Sequence, residues 1–221
     1  MGYILPVFEQ NDGCRVQPLV RLSLLMVLIA SIWFLLPHPA QAASPRNILT
    51  HIDRYVKSGV RKEALVAAVK AYEARKDKVK RPRFLTLIDY AIHSSKPRMF
   101  IIDLVSGEMK SLLVAHGRGS DPDHDGYADK FSNVPNSKMS SLGSYITANT
   151  YRGKHGLSLR LVGLDKSNSA ALQRAIVMHG ARYVSPKRGV GRSWGCPSIE
   201  KRFVKDIIPK LAGGAFIYAT R

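Results

Sequence analysis

The chain has 221 residues, enough for one domain and a leader. It carries 34 Lys and Arg against 16 Asp and Glu, a formal net charge of +18, which calls for an anionic partner: nucleic acid, a membrane surface or an acidic polymer such as the cell wall. There is no internal repeat and no low-complexity tract, which excludes solenoid arrays and compositionally disordered chains.

Near the N-terminus, after Arg21, lies an apolar run of fifteen residues, Leu22 to Leu36, broken only by Ser23 and Ser31. It is shorter than the ~20 residues that span a bilayer. Ala40-Gln41-Ala42 then fits the small-residue rule for signal cleavage, so residues 1–42 read as a signal peptide, with a retained N-terminal anchor as the alternative. Cleavage removes Arg15 and Arg21 together with Glu9 and Asp12, so the net charge belongs to the remaining domain. It also removes Cys14. Cys196 then reaches an oxidising compartment with no intramolecular partner, which points to a reactive thiol rather than an inert buried one.

Residues 43–82 read as a helical segment and linker. Ser44-Pro45 suits a helix start, with Ile48, Ile52, Tyr55 and Val56 at helical spacing. A second helix is predicted over Lys62–Val79, with Leu65, Ala68, Val69 and Tyr72 as its apolar stripe. The charged run from Arg75 to Pro82 reads as a solvated helix end, because no aromatic residues interleave with its charges as they do in single-strand nucleic-acid sites.

Residues 83–221 change to period two. Strands are predicted at Phe84–Tyr90, Arg98–Leu104, Met109–His116, Ser144–Ala148, Leu157–Val162, Ala175–His179 and Ala215–Ala219, with helices at Ser167–Arg174 and Lys201–Leu211. Many short strands separated by glycine turns indicate a mainly β fold, a mixed or antiparallel sheet of sandwich or barrel type with a few short helices.

The strand Ala175–Met178 delivers His179-Gly180, and a glycine-rich basic loop leads on to Ser193-Trp194-Gly195-Cys196-Pro197. An imidazole and a thiol thus lie seventeen positions apart on one foldable loop. That pair suits nucleophilic catalysis, in which a base activates the thiol. The Gly180 carbonyl can orient the imidazole, the task a carboxylate performs in other triads. Gly195 lets the backbone come close to substrate, with the amides of Gly195 and Cys196 as oxyanion donors. Arg192 fits a carboxylate clamp or a solvated loop position. Ser193 suits a loop-orienting hydroxyl, and Trp194 a cleft wall or a core position. His116, before Gly117, is the rival base or a supporting group, and His155 a weaker candidate for substrate contact.

These motifs resemble the L,D-transpeptidase catalytic domain family of bacterial cell-wall enzymes. The resemblance rests on His179-Gly180 and Ser193-x-Gly195-Cys196. Val114-Ala115-His116-Gly117, Phe131-Ser132-Asn133, Ser140-Ser141-Leu142-Gly143 and Gly153-Lys154-His155-Gly156 add to it, over about Phe84 to Tyr218. One departure is Pro197-Ser198, where the wider family has an aliphatic residue and then Arg or Asn. The resemblance implies a β-sandwich-like catalytic domain and a thioester on Cys196, formed from a peptidoglycan stem tetrapeptide with release of D-alanine. An amine acceptor then gives a cross-link, and water gives an L,D-carboxypeptidase. It implies stem peptides as partners in the periplasm or cell envelope; the positive charge suits anionic envelope polymers or the membrane surface, and a monomer without a cofactor is expected. A non-catalytic basic envelope-binding protein of the same fold is the alternative from another class, and export argues against nucleic acid.

Asp121, Asp123, Asp125 and Asp129 alternate around Gly126 like the first half of a calcium loop, but the twelfth position is Ser132 rather than a bidentate Glu. The other reading is an acidic surface insertion. A single cysteine and dispersed histidines lack zinc-ligand spacing, so no metal is expected.

Overall fold

The structure is a computed structural model that describes residues 1–2, 45–187 and 189–221. The expected leader and its cleavage site lie outside the described residues. The chain divides at Gln41/Ala42, and the description below concerns the unit Ala42–Arg221. Among the described residues no helix is long and apolar enough to cross a membrane.

Helices α1 (Arg46–Thr50), α2 (Ile52–Lys57) and α3 (Lys62–Glu73) come first. The expected single helix to Val79 stops at Glu73 and gives way to a 3₁₀ turn at Lys76–Lys78. Nine of the strands then form one sheet: β1 (Phe84–Asp89), β2 (Met99–Asp103), β3 (Met109–Leu112), β4 (Val114–Ala115), β5 (Gly143–Gly153), β6 (Gly156–Gly163), β7 (Val177–Ala181), β10 (Ser198–Glu200) and β11 (Phe216–Thr220). The small hairpin β8 (Val184–Ser185) and β9 (Gly189–Val190) stands apart. Helix α4 (Val204–Leu211) lies between β10 and β11.

The strand order is β3-β2-β1-β11-β5-β6-β7-β10-β4. Its two end strands, β3 and β4, are separated in the chain by Leu113 alone, so the sheet curls until it nearly closes on itself. The fold is mainly β and mixed: β1 with β11 and β7 with β10 are parallel, and the remaining pairs are antiparallel.

Strand alternation sorts the core into two layers. Leu85 and Leu87 of β1, Phe100 and Ile102 of β2 and Phe216 of β11 pack against Leu65, Ala68, Val69 and Tyr72 of α3. Ile88, Met99, Ile101 and Ile217, on the opposite face, join Leu159, Met178, Ile199 and the α4 residues Ile207, Ile208 and Leu211. The helical segment therefore caps one face of the sheet. Tyr72 meets Phe216 edge-on at 5.3 Å between ring centroids. Arg61, just before α3, clasps the fully buried Asp89 carboxylate through two hydrogen bonds of 2.7 and 3.0 Å.

Two expected elements differ. The strand predicted over Met109–His116 is split, since β3 pairs with β2 and β4 pairs with β10. The helix expected at Ser167–Arg174 is a series of turns. Asn side chains compete there with helical bonding. Asn168 Oδ1 accepts from the Asp165 amide, Asn168 Nδ2 donates to Ser144 O, and the Ala170 amide donates to Asn133 Oδ1.

Candidate active site

Three local features shape the turn that carries Cys196. Pro197 restricts Cys196 to extended backbone, and β10 starts at Ser198. Gly195 has φ +118°, and a Cβ there would lie 2.7 Å from Met139 O, so no other residue fits. Ser193 ties the turn together: its amide donates to His116 O at 2.8 Å, its hydroxyl donates to Cys196 O at 2.7 Å, and it accepts from the Gly195 amide at 3.0 Å. The Gly195 amide is thereby engaged within the turn.

The Cys196 thiol accepts from the Val177 amide at 3.5 Å and donates to Ala175 O at 3.7 Å. Ala175 is held at φ +52°, unusual for a residue with a side chain and the kind of backbone strain that gathers at functional sites. Burial pushes the thiol pKa up, against the opposing pull of the Val177 amide and the positive charges of Arg174 and Lys154.

His179 sits on β7, in parallel register with Ser198 of β10. Register partners project from the same face, which places the imidazole beside the strand that begins two residues after the thiol. Its ring is almost wholly buried. Nδ1 lies 3.2 Å from Gly180 O and Nε2 lies 3.0 Å from Ser198 Oγ. His155, at the tip of the β5–β6 hairpin, stacks on the same ring at 4.2 Å and 22°. Burial drives the His179 pKa down to about 4, helped by the charges of His155 and Lys154 and opposed by the Gly180 carbonyl. At neutral pH the site therefore holds an uncharged thiol and an uncharged imidazole.

Cys196 and His179 line one cavity of about 450 Å³ together with Tyr151, Lys154, His155, Arg174, Tyr183, Arg192 and Trp194. None of the lining side chains is acidic, so the cavity favours an anionic ligand. Trp194 is 67% exposed, which places it at the rim rather than in the core, with Lys138 Nζ 5.2 Å and Lys154 Nζ 6.0 Å from its ring centre. Arg192 lines the cavity while donating from Nη1 to Asp121 O.

His116, the rival base or supporting group of the sequence, stands outside the cavity. It is 1% exposed and does not line the cavity. Arg98, a donor only, reaches His116 Nδ1 at 2.6 Å, so the ring proton is on Nε2 and goes to Asp121 Oδ2 at 3.0 Å. Burial and the Arg98 charge hold its pKa down to about 4. His116 thus supports the site from behind, through its carbonyl bond to Ser193. Of the four aspartates, Asp121, Asp123 and Asp125 bring carboxylate oxygens within 4.8 Å of one another, but Asp129 pairs instead with Arg221 at 2.6 Å. Asp121 is already committed to His116 and to the amides of Asp125 and Gly126.

Two cavity residues, Arg174 and Tyr183, and the buried Ser198 beside His179 escaped the sequence reading. Arg174, at the end of the supposed helix, reaches Ser132 O at 2.7 Å and Met139 O at 2.6 Å and so fixes the loop that backs the nucleophile turn. Ser198 and Tyr183 form a hydroxyl pair at 3.0 Å, and Tyr183 lies beyond β7 with no motif to mark it. The only available signal was the unusual Ser198 two places after the cysteine.

Comparison with the curated proteins finds no match. Among solved structures, the chain is similar to an L,D-transpeptidase from Mycobacterium smegmatis (TM-score 0.41, 11% identity, 63% of this chain and 59% of that one). It is also similar to L,D-transpeptidase 3 from Mycobacterium tuberculosis (0.42, 10%, 63% and 61%). A third is an LD transpeptidase in complex with imipenem (0.40, 11%, 62% and 59%). The chain spans less than two thirds of the length of each. The family model for the L,D-transpeptidase catalytic domain matches residues 56–220, which takes in the cavity, the Cys196 turn and much of the helical cap, and the chain belongs to that family.

Proposed function

We propose that the protein is an exported peptidoglycan acyltransferase that forms a thioester on Cys196 from a stem tetrapeptide and passes the acyl group to an amine. The observation that carries this reading is the convergence of Cys196 and His179 on one cation-lined cavity. A stem peptide brings carboxylates. Lys154 and the free donors of Arg192 are suited to hold them, with Trp194 as an apolar rim.

In this reading the thiol turns from Ala175 O and gives up its proton to His179 as the thiolate attacks the carbonyl of the third-position diamino acid. The developing oxyanion takes the Cys196 amide, a donor worth about 3 kcal/mol. The Gly195 amide keeps its bond to Ser193 Oγ and holds the turn in shape. The His179 imidazolium, oriented by Gly180 O, protonates the leaving D-alanine amine. The neutral imidazole then accepts the proton of the incoming amine, whose nitrogen attacks the thioester and restores the thiol. The excess of basic residues would keep such an enzyme close to anionic wall polymers.

The test is intact-mass measurement of the mature chain with a disaccharide-tetrapeptide and, in parallel, with a carbapenem. A covalent adduct with release of D-alanine, absent in Cys196→Ala, is the expected result. Folded parent protein that gives neither adduct nor D-alanine would sink the reading and leave envelope binding in its place.

A further inference from the structure

The thiol and the base do not touch each other. Among the described residues, the hydrogen-bond partners of Cys196 Sγ are Val177 N and Ala175 O, and the side-chain partner of His179 Nε2 is Ser198 Oγ. Hydrogen-bond chemistry sets the direction of this chain of groups. The Gly180 carbonyl can only accept, so Nδ1 carries the ring proton and Nε2 bears the lone pair. Ser198 must then donate to Nε2, and its oxygen accepts from the Tyr183 hydroxyl at 3.0 Å. An imidazole nitrogen has one in-plane lone pair, and Ser198 occupies it.

Ser198 is also well placed toward the nucleophile. Cys196 is held extended by Pro197, and residues two apart on an extended segment project to the same side. Ser198 is fully buried and on the strand that pairs with β7, so its hydroxyl meets the imidazole, and a thiol that turns away from Ala175 O comes to the side of the turn that Ser198 occupies.

We propose that Ser198 is the relay through which His179 deprotonates Cys196, and that Tyr183 is the positioning residue that holds the Ser198 hydroxyl in its donating direction. The proposal rests on the acyl-transfer reading above. In the step, the Sγ–H bond breaks and its proton passes to Ser198 Oγ, while the original Ser198 proton passes to His179 Nε2. The products are thiolate, imidazolium and an unchanged serine hydroxyl, so protons and charge balance without any further reactant. The groups facing His179 are His155 and Lys154 from the β5–β6 hairpin, Ser158 from β6, Tyr183 from the loop after β7, and Cys196 and Ser198 from the nucleophile turn and β10. Ser198 is the one in hydrogen bond with Nε2.

The test is the kinetics of Cys196 acylation by a carbapenem and by the disaccharide-tetrapeptide, followed by intact mass in the full chain. Ser198→Ala is expected to lower the maximum acylation rate by on the order of 10²-fold, the scale of one general acid–base contribution, with the half-saturating concentration unchanged. Ser198→Thr, which keeps the hydroxyl, should recover most of the rate. Tyr183→Phe, which keeps the ring and removes only the hydroxyl of a partly exposed side chain, should lose about tenfold, the scale of one hydrogen bond. A proton inventory in mixed H₂O and D₂O should curve in the parent, with two protons in flight, and become linear in Ser198→Ala. A purely structural serine would not change that shape. If Ser198→Ala acylates as fast as the parent or faster, Ser198 only parks the base and the relay is wrong. If the parent never acylates, the acyl-transfer reading fails and the relay fails with it.

Discussion

Cys196 and His179 each sit in a setting that disfavours charge. Burial raises the thiol pKa above its ordinary value of 9.0 and drives the imidazole from 6.5 down to about 4. A resting thiolate–imidazolium pair needs the reverse, a thiol that titrates below the imidazole. The expected outcome is a pH profile of iodoacetamide alkylation that stays low between pH 5 and 7 and climbs as pH rises past the ordinary thiol range. The sign follows because the thiolate fraction grows only above a raised pKa, while His179 gains its proton only near about pH 4. A plateau of fast alkylation at pH 5 to 6 would contradict this. In the acyl-transfer reading, deprotonation then waits for substrate. His116 shows the same physics with a different task. Between Arg98 and Asp121 it is held neutral, and what reaches the active site is its backbone carbonyl.

At the scale of elements, the nucleophile turn depends on backbone approach rather than on side-chain packing. A Cβ at Gly195 meets Met139 O at 2.7 Å and Ile176 Cδ1 at 3.0 Å, at a φ of +118°. Gly195→Ala is expected to cost about 1–3 kcal/mol in thermal unfolding and to abolish the carbapenem adduct, because the strain falls on the residue before the nucleophile. Retention of the parent's adduct rate would show that the turn tolerates the shift. Pairing explains where the sequence reading succeeded and where it did not. Strands β1, β2 and β11 alternate two buried faces, and their apolar pattern is visible over a few residues. The division of Met109–His116 into β3 and β4 follows from two different partners, β2 and β10, which no local pattern encodes. The Ser167–Arg174 turns likewise depend on Asn133, more than thirty residues away.

At the scale of the whole molecule, the helical segment completes the sheet. Leu65 is fully buried against β1, β2 and β11, and Leu65→Ala should cost about 2–5 kcal/mol, read as a lower thermal midpoint. No α3 residue lines the cavity, so the adduct should still form below that midpoint; loss of both together would mean that the cap also shapes the site. The near-closure of the sheet sets His116-Gly117 beside Ser193, behind the cavity that Lys154, His155, His179 and Cys196 line.

By itself, the sequence determined the mainly β class, the excess of positive charge and the turn chemistry of Gly195 and Pro197, and it offered Cys196 and His179 as candidates that the structure brings to one cavity. These are properties of composition, short-range periodicity and neighbouring residues. Only the tertiary structure decided that His116 lies behind the site, that Asp129 leaves the aspartate cluster for Arg221, that Trp194 stands at the rim and that Ser198 takes the Nε2 side of the His179 ring. Each of these is a contact between residues that strand order and burial bring together, and sequence spacing carries no information about which face of which neighbour a side chain will meet.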